Sequence, residues 1–188
     1  MSFDLARVLR RIKPQRTVGS MQRRRPADLP LVQAPIDAGA ELLLDTCVYI
    51  DVLQRRTPAG VDDLLEARIL NHSTVCLAEL SHLFGRLDPA HASTRTVLRE
   101  IRRTIEDMPS HRLSAPSATV VGEAGMLAGL VARLSGIDRG EGPSLLNDAS
   151  LYLQALEHGW ILLTRNARDF DFFDQLLPAD RVLFYEHP

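Results

Sequence analysis

Three acidic residues stand at the edges of apolar runs that are far apart in the chain: Asp45 in ELLLDTCVYIDVL, Glu79 in STVCLAELSHLF and Asp148 in SLLNDASLYLQALEHG. A fourth polar group, Thr164, Arg165, Asn166 and Asp169, follows another strand-like run in WILLTRNARDF. A carboxylate set among apolar side chains is costly unless a cation compensates it. Several of them converging would make an oxygen-ligand site for a hard divalent cation, Mg²⁺ or Mn²⁺. Such an ion can lower the pKa of a bound water, orient a phosphodiester and stabilise charge on a leaving oxygen, with no protein nucleophile. Arg165, with Arg86 or Arg168, could hold a nucleic-acid backbone beside it.

Each of these residues also has a plainer reading. Asp45 could be the N-cap of a following helix. Glu79 could lie on a solvated helix face, although Leu77, Ala78, Leu80, Leu83 and Phe84 surround it. Asp148 could favour a helix start electrostatically, yet Leu151, Tyr152 and Ala155 put it on the apolar stripe of its segment. Asp169 and Asp171 could form an exposed acidic turn, the preferred reading for Asp171. His72, His82 and His91 match no zinc spacing, and neither Cys47 nor Cys76 has a close Cys or His partner. They read as packing or surface groups.

These residues need elements to position them. Residues 42–44 form a buried strand, and 46–55 a helix starting just after Asp45. A second helix covers 61–70. Residues 74–76 read as a strand running into a helix over 77–87, and Asp88-Pro89 caps a long helix over 89–107. A short strand at 112–113 and a helix from Pro116 to Leu134 follow, with Gly122, Gly125 and Gly129 allowing close helix packing. Residues 135–143 are a flexible loop. Then come a helix at 145–158, a strand at 160–164, a turn or short helix over 166–177, and a strand at 181–185. Strands alternating with helices predict a three-layer α/β/α sandwich around a central, mainly parallel sheet. Ligands of such sheets bind at the carboxyl ends of the strands, where Asp45, Glu79 and Arg165–Asn166 all fall.

The N-terminal 40 residues have a different character. Leu5, Val8, Leu9 and Ile12 share one face of a short basic helix. Pro14 ends it, and 14–40 reads as a linker or loosely attached arm. Residues 1–25 hold eight basic side chains against one acid, Asp4, whereas the other residues hold 14 basic and 23 acidic ones. A basic arm therefore joins an acidic body, although the whole chain carries only −2. The predicted domains are an extension over 1–40 and a catalytic body over 41–188. An isolated apolar stripe must dock somewhere: on the body, on a second copy or on a partner. The arm could alternatively guide a polyanion to the site.

Composition excludes several classes. No run approaches the roughly 18 apolar residues of a membrane span, and the N-terminus lacks a secretory apolar core. With two unpaired cysteines, a reduced cytoplasmic setting without a membrane is expected. There is no G-x-S-x-G and no phosphate-binding G-x-x-x-x-G-K-[ST], and the 122–129 glycines do not follow a strand. A haloacid-dehalogenase-type phosphatase usually has a second Asp two residues after the first, where Cys47 stands here. A receiver domain's acidic pair is not found.

Taken together, the four segments resemble the PIN-domain ribonucleases, most closely the VapC-type toxins of bacterial toxin–antitoxin pairs, over about 41–186. LLLDTCVYIDVL looks like the family's opening strand, VCLAELSHLF like its second motif, and LLNDASLYLQALEHGWILLTRNARDF like its third and fourth motifs in their usual adjacency. The resemblance implies a metal-dependent endoribonuclease with Asp45, Glu79 and Asp148 as metal-binding acids and Mg²⁺ or Mn²⁺ as cofactor. The fourth acidic position of many members matches Asn166 here, so Asp169 is an additional candidate. Thr164 matches the hydroxyl residue that accompanies the motif, and Arg165 beside it is a candidate for substrate binding. The implied partners are an RNA substrate, a cognate antitoxin and a second copy of the chain, the helices over 89–107 and 116–134 being candidates for the dimer contact. The rival reading is a non-catalytic PIN-like binding or regulatory protein, which the amide at 166 keeps open.

Overall fold

The strand on which the fold is laid down is Leu42–Leu44 (β1), whose three leucines are all buried, as a strand covered on both faces requires. In this computed structural model, which describes residues 3–32, 39–136 and 142–188, β1 lies between two parallel neighbours, β2 (Leu70–Ser73) and β4 (Ile161–Thr164). Leu42 is in register with Leu70 on one side and Ile161 on the other. Outside them lie β3 (Leu113–Ser114) and β5 (Val182–Phe184), giving a fully parallel sheet of order β3-β2-β1-β4-β5. The helices among the described residues are α1 (Leu5–Ile12), α2 (Thr46–Leu53), α3 (Ala59–Ala67), α4 (Thr74–Arg86), α5 (Thr94–Glu106), α6 (Ala118–Ser135), α7 (Gly142–His158) and α8 (Ala167–Leu176). One group packs α2, α4 and α5 together, and another packs α1, α6, α7 and α8. The predicted α/β/α architecture is the one observed. The chain passes from β1 outward to β2 and β3, then returns to β4 on the other side of β1. The switch point of the topology is therefore the β1–β4 boundary.

Local assignments differ from the sequence reading at several points. The second strand is Leu70–Ser73, not 74–76, and the helix before it ends at Ala67. Thr74 and Val75 are β-branched and favour strands in isolation, but the Ser73 hydroxyl accepts a hydrogen bond from the Val75 amide at 3.1 Å and starts α4 there. The sequence LNHS makes a polar strand that its neighbours satisfy. Asn71 donates to Glu41 Oε2 at 2.9 Å, His72 Nδ1 meets the Tyr49 hydroxyl at 2.6 Å, and Ser73 donates to Gln154 Oε1 at 2.7 Å. The long helix starts at Thr94, not 89, because Asp88 closes a turn onto the Ala90 amide instead. Gly122 is a close-packing position, where the Phe3 ring occupies the space a Cβ would need. Gly125 and Gly129 are exposed, with nothing near them among the described residues. The 135–143 loop lies mostly outside the described residues. Among those described, α6 is the one helix long and apolar enough to cross a membrane, but it buries Val120, Ala124, Leu127 and Val131 in the core.

Residues 3–32 lie along the body. Asp4 caps α1 by accepting from the Arg7 amide at 3.0 Å. Val8 and Ile12 are buried against the α6 side, and Arg11 reaches buried Glu123 at 2.5 Å. Arg24 then bridges two acids on α8, Asp171 at 2.5 Å and Asp174 at 2.6 Å. Asp171 is thus not an exposed turn residue: it is 1% exposed, and an arginine 147 residues away in sequence makes that burial tolerable. Farther on, Phe184 donates to the Pro30 carbonyl and accepts from the Val32 amide, both at 2.8 Å. The arm so covers the open edge of β5, which would otherwise present unpaired backbone groups.

Replacing Arg24 with Ala leaves Asp171 and Asp174 buried without their cation, a loss of about 3–5 kcal/mol. Urea unfolding of Arg24→Ala should show it, while exposed Arg10→Ala should stay within about 0.5 kcal/mol of wild type. Equal stability of the two variants would mean the arm does not hold α8.

Candidate active site

At the switch point the chain brings together the residues that the sequence singled out. Asp45 ends β1 and stands at the N-cap position of α2, yet its side chain makes no capping bond. Its Oδ2 instead accepts from the Thr164 hydroxyl at 2.6 Å and from Cys47 Sγ at 3.0 Å. The parallel register of β1 and β4 causes this, since the Asp45 amide donates to Leu163 and so sets Asp45 beside Thr164. Glu79, on the second turn of α4, accepts from the Thr46 hydroxyl and, through Oε1, from Asn147 Nδ2 at 2.7 Å. Asp148 sits on the inner face of α7, buried, and accepts from Asn166 Nδ2 at 3.0 Å.

Asn166 uses both halves of its amide. Its Oδ1 accepts from the Asp169 amide at 3.3 Å and caps α8. Its Nδ2 donates to Asp148 and, at 3.2 Å, to Asp169 Oδ2. A carboxylate in this position could do the first but not the second. Thr164 likewise turns both ways, donating to Asp45 and accepting from the Asn166 amide at 2.9 Å. Arg165 lies between them, but its guanidinium points to Asp51 on α2, 2.7 Å away, rather than to the acids.

Among the described residues, Asp45, Glu79 and Asp148 have neutral hydrogen-bond donors and no cationic partner, whereas Asp51, Glu123, Asp171 and Asp174 each face an arginine. The electrostatic consequence is large. Burial, then the charges of Asp45, Asp169 and Glu79, push the Asp148 carboxyl up to about 9. Burial also raises Asp45, with Glu79 adding to it against the bonds from Thr164 and Cys47. Burial and the neighbouring Asp45 push the Cys47 thiol well up, so it remains a protonated donor and not a thiolate ligand. Asp169 Oδ1 is buried with no hydrogen-bond partner among the described residues, and Arg168 Nε stands 3.9 Å from it.

This donor set fits a hard, partly hydrated cation. All its charged ligand atoms are oxygens, it is under-neutralised, and it keeps an orphaned carboxylate oxygen. No group of three His, Cys, Asp or Glu among the described residues is drawn together tightly enough to hold an ion alone. Mg²⁺, which keeps several waters and takes one or two carboxylates directly, does not need such a cage. Thr46, Cys47 and Asn147 were missed by the sequence reading. Their signal was adjacency: Thr46 and Cys47 follow Asp45, and Asn147 precedes Asp148.

No family model matches the sequence, and no curated protein matches it. Solved structures do share its fold, a parallel sheet between two layers of helices. One is VapBC2 from Rickettsia felis bound to a DNA fragment from their promoter, at 14% identity, TM-score 0.50, and coverage of 77% of this chain and 97% of that one. Another is FitAcB from Neisseria gonorrhoeae, at 21% identity and TM-score 0.50, covering 76% and 96%. A third is DNA-bound VapBC from Salmonella typhimurium, at 18% identity and TM-score 0.50, covering 77% and 97%. The three-layer α/β/α fold predicted from the four segments is the fold that these VapBC and FitAcB structures share.

The raised Asp148 carboxyl fixes a pH dependence for the metal-free protein. Between about pH 4 and about pH 9 the native state keeps a proton that the unfolded state has lost. Native protein then binds more protons, so stability falls as pH rises through that window. Asp148→Asn should flatten this slope and raise the metal-free melting temperature at pH 8 by a few degrees, while Mg²⁺ should stabilise the variant less than wild type. Thermal melts in EDTA and in Mg²⁺ across pH read both effects. A lower metal-free melting temperature in the variant would make Asp148 a structural residue.

Proposed function

We propose that the protein is a metal-dependent endoribonuclease and the toxin of a toxin–antitoxin pair. The observation that carries this reading is the set of buried or half-buried carboxylates at the β1–β4 switch point, Asp45, Glu79 and Asp148, supplied with neutral donors but no cation among the described residues, on a fold shared with VapBC and FitAcB structures. Asp45, Glu79 and Asp148 would hold Mg²⁺ or Mn²⁺, with Asp169 as a further oxygen ligand. When bound, the ion would acidify a water and offset the charge of a phosphodiester.

This chain's own side chains supply orientation. Thr164 and Cys47 fix the Asp45 carboxylate, Thr46 and Asn147 fix Glu79, and Asn166 bridges Asp148 and Asp169 through one amide nitrogen. These bonds fix the orientation of carboxylates that lie near enough for their charges to raise Asp45 and Asp148 before any cation arrives. Such preorganisation removes a reorganisation cost from the reaction. Without the ion the pocket repels a polyanion, and with it the pocket accepts one.

The partner side of the reading draws support from an apolar groove of about 560 Å³ between α2, α4 and α5. Ile50, Leu53, Leu83, Leu87, Val97 and Ile101 line it, with Thr46 and Glu79 at its border. It suits the apolar face of an antitoxin helix carrying a cation towards Glu79. A homodimer belongs to the same reading, and the outward side of α6, with exposed Val121, is a face open to it. The second reading, a non-catalytic PIN-like regulator, is favoured by one feature, the amide of Asn166 in place of a fourth acid.

Purified protein should cleave single-stranded RNA in Mg²⁺ or Mn²⁺ and stop in EDTA. Asp45→Asn, Glu79→Gln and Asp148→Asn should each lower kcat on the order of 10²–10⁴-fold with the fold intact by circular dichroism. Normal cleavage by all three variants would sink the site, and metal binding without cleavage by wild type would favour the regulator.

A further inference from the structure

One buried acid takes no part in the pocket but lies against it. Asp51 is on α2, six residues after Asp45, and is 1% exposed. Its Oδ2 accepts from Arg165 Nε at 2.7 Å and from the Tyr185 hydroxyl at 2.8 Å. Its Oδ1 faces His187 Nε2 at 3.0 Å and Arg165 Nη2 at 3.5 Å. One carboxylate thus gathers α2, the β4–α8 turn and the segment after β5.

We propose that Asp51 and Arg165 form a positioning lock that holds the β4–α8 turn so that Thr164 and Asn166 meet the carboxylates of the site. The inference rests on the nuclease reading and adds a role for two residues that do not reach the proposed metal. Arg165 is flanked in sequence by the two residues that touch the acids: Thr164 bonds Asp45, and Asn166 bonds Asp148 and Asp169. Its own amide donates to Cys47 Sγ at 3.3 Å, and Cys47 donates to Asp45. With its backbone tied to Cys47 at the α2 start and its guanidinium tied about one turn further along α2 at Asp51, the turn has two anchors on the helix that Asp45 begins.

A planar guanidinium can grip a carboxylate in a way that an ammonium cannot. Burial strengthens the grip, since Asp51 without Arg165 would be an uncompensated buried charge. Arg165 therefore acts as a positioning residue rather than as a contact for the RNA backbone. Tyr185 and His187 complete the lock from the far side and keep the Asp51 carboxylate from turning out to water.

The test compares Asp51→Asn, Arg165→Gln and the double variant in the full-length protein. The readouts are Mn²⁺ affinity by calorimetry, kcat and KM on single-stranded RNA, and the salt dependence of RNA binding. Each single variant should weaken Mn²⁺ binding several-fold and lower kcat about tenfold or more, the size of effect expected when a supporting partner is lost. KM and the salt slope should stay near wild type. The double variant should be no worse than the poorer single, since both remove one contact.

If Arg165→Gln instead raises KM and flattens the salt slope while Asp51→Asn does neither, Arg165 is a substrate contact and the lock is overturned. Melting in EDTA checks the fold. Should Asp51→Asn not fold, Tyr185→Phe removes one donor and keeps the ring; wild-type Mn²⁺ affinity and kcat in that variant overturn the proposal. Wild type that binds Mn²⁺ but spares RNA overturns the nuclease reading alone, and the Mn²⁺ comparison then decides the lock. Wild type that binds no Mn²⁺ overturns both.

Discussion

Buried carboxylates are what the rest of this structure is arranged around. A charge taken out of water must be paired or hydrogen-bonded, or it must give up its ionisation. Two solutions coexist in this chain. Glu123, Asp171, Asp174 and Asp51 are each met by an arginine, Arg11, Arg24 or Arg165. Among the described residues, Asp45, Glu79 and Asp148 receive only hydroxyl, thiol and amide donors, and burial together with the charges of neighbouring carboxylates raises Asp45 and Asp148. The first set fastens elements together. The second set holds negative potential in reserve, the condition a cation site needs and one that lowers the stability of the metal-free protein.

The two solutions are mechanically linked. Arg24 clamps α8 about one to two turns from where Asn166 caps it, and Arg165 clamps the turn from which α8 starts. Both clamps bear on the segment that supplies Asn166 and Asp169 to the pocket. The basic extension accordingly contributes structure as well as charge: it gives α8 a cation and lays residues 30–32 along the β5 edge. An amide at 166 fits the same logic. It donates to two acids at once, which lessens the repulsion that a fourth carboxylate would add.

Some of this was legible in the sequence and some was not, for physical reasons that particular residues make plain. Alternation of apolar strands with helical stripes determined the parallel α/β/α fold, because burial on both faces leaves few other arrangements. The position of Asp45 and Asn166 just after strands, and of Asp148 on an apolar stripe, determined that these groups share one end of the sheet. The second strand was misplaced because LNHS is polar and its satisfaction comes from Glu41, Tyr49 and Gln154, all distant in sequence. Asp171 was read as exposed because nothing local says that Arg24 will reach it. The same limit applied to Thr46, Cys47 and Asn147, whose adjacency to acids was visible but whose direction was not. Local chemistry and periodicity by themselves determined the sheet, its carboxyl edge and the acids upon it. Which acids receive an arginine and which receive only neutral donors was decided by tertiary structure alone, because pairing depends on through-space distance between segments more than a hundred residues apart.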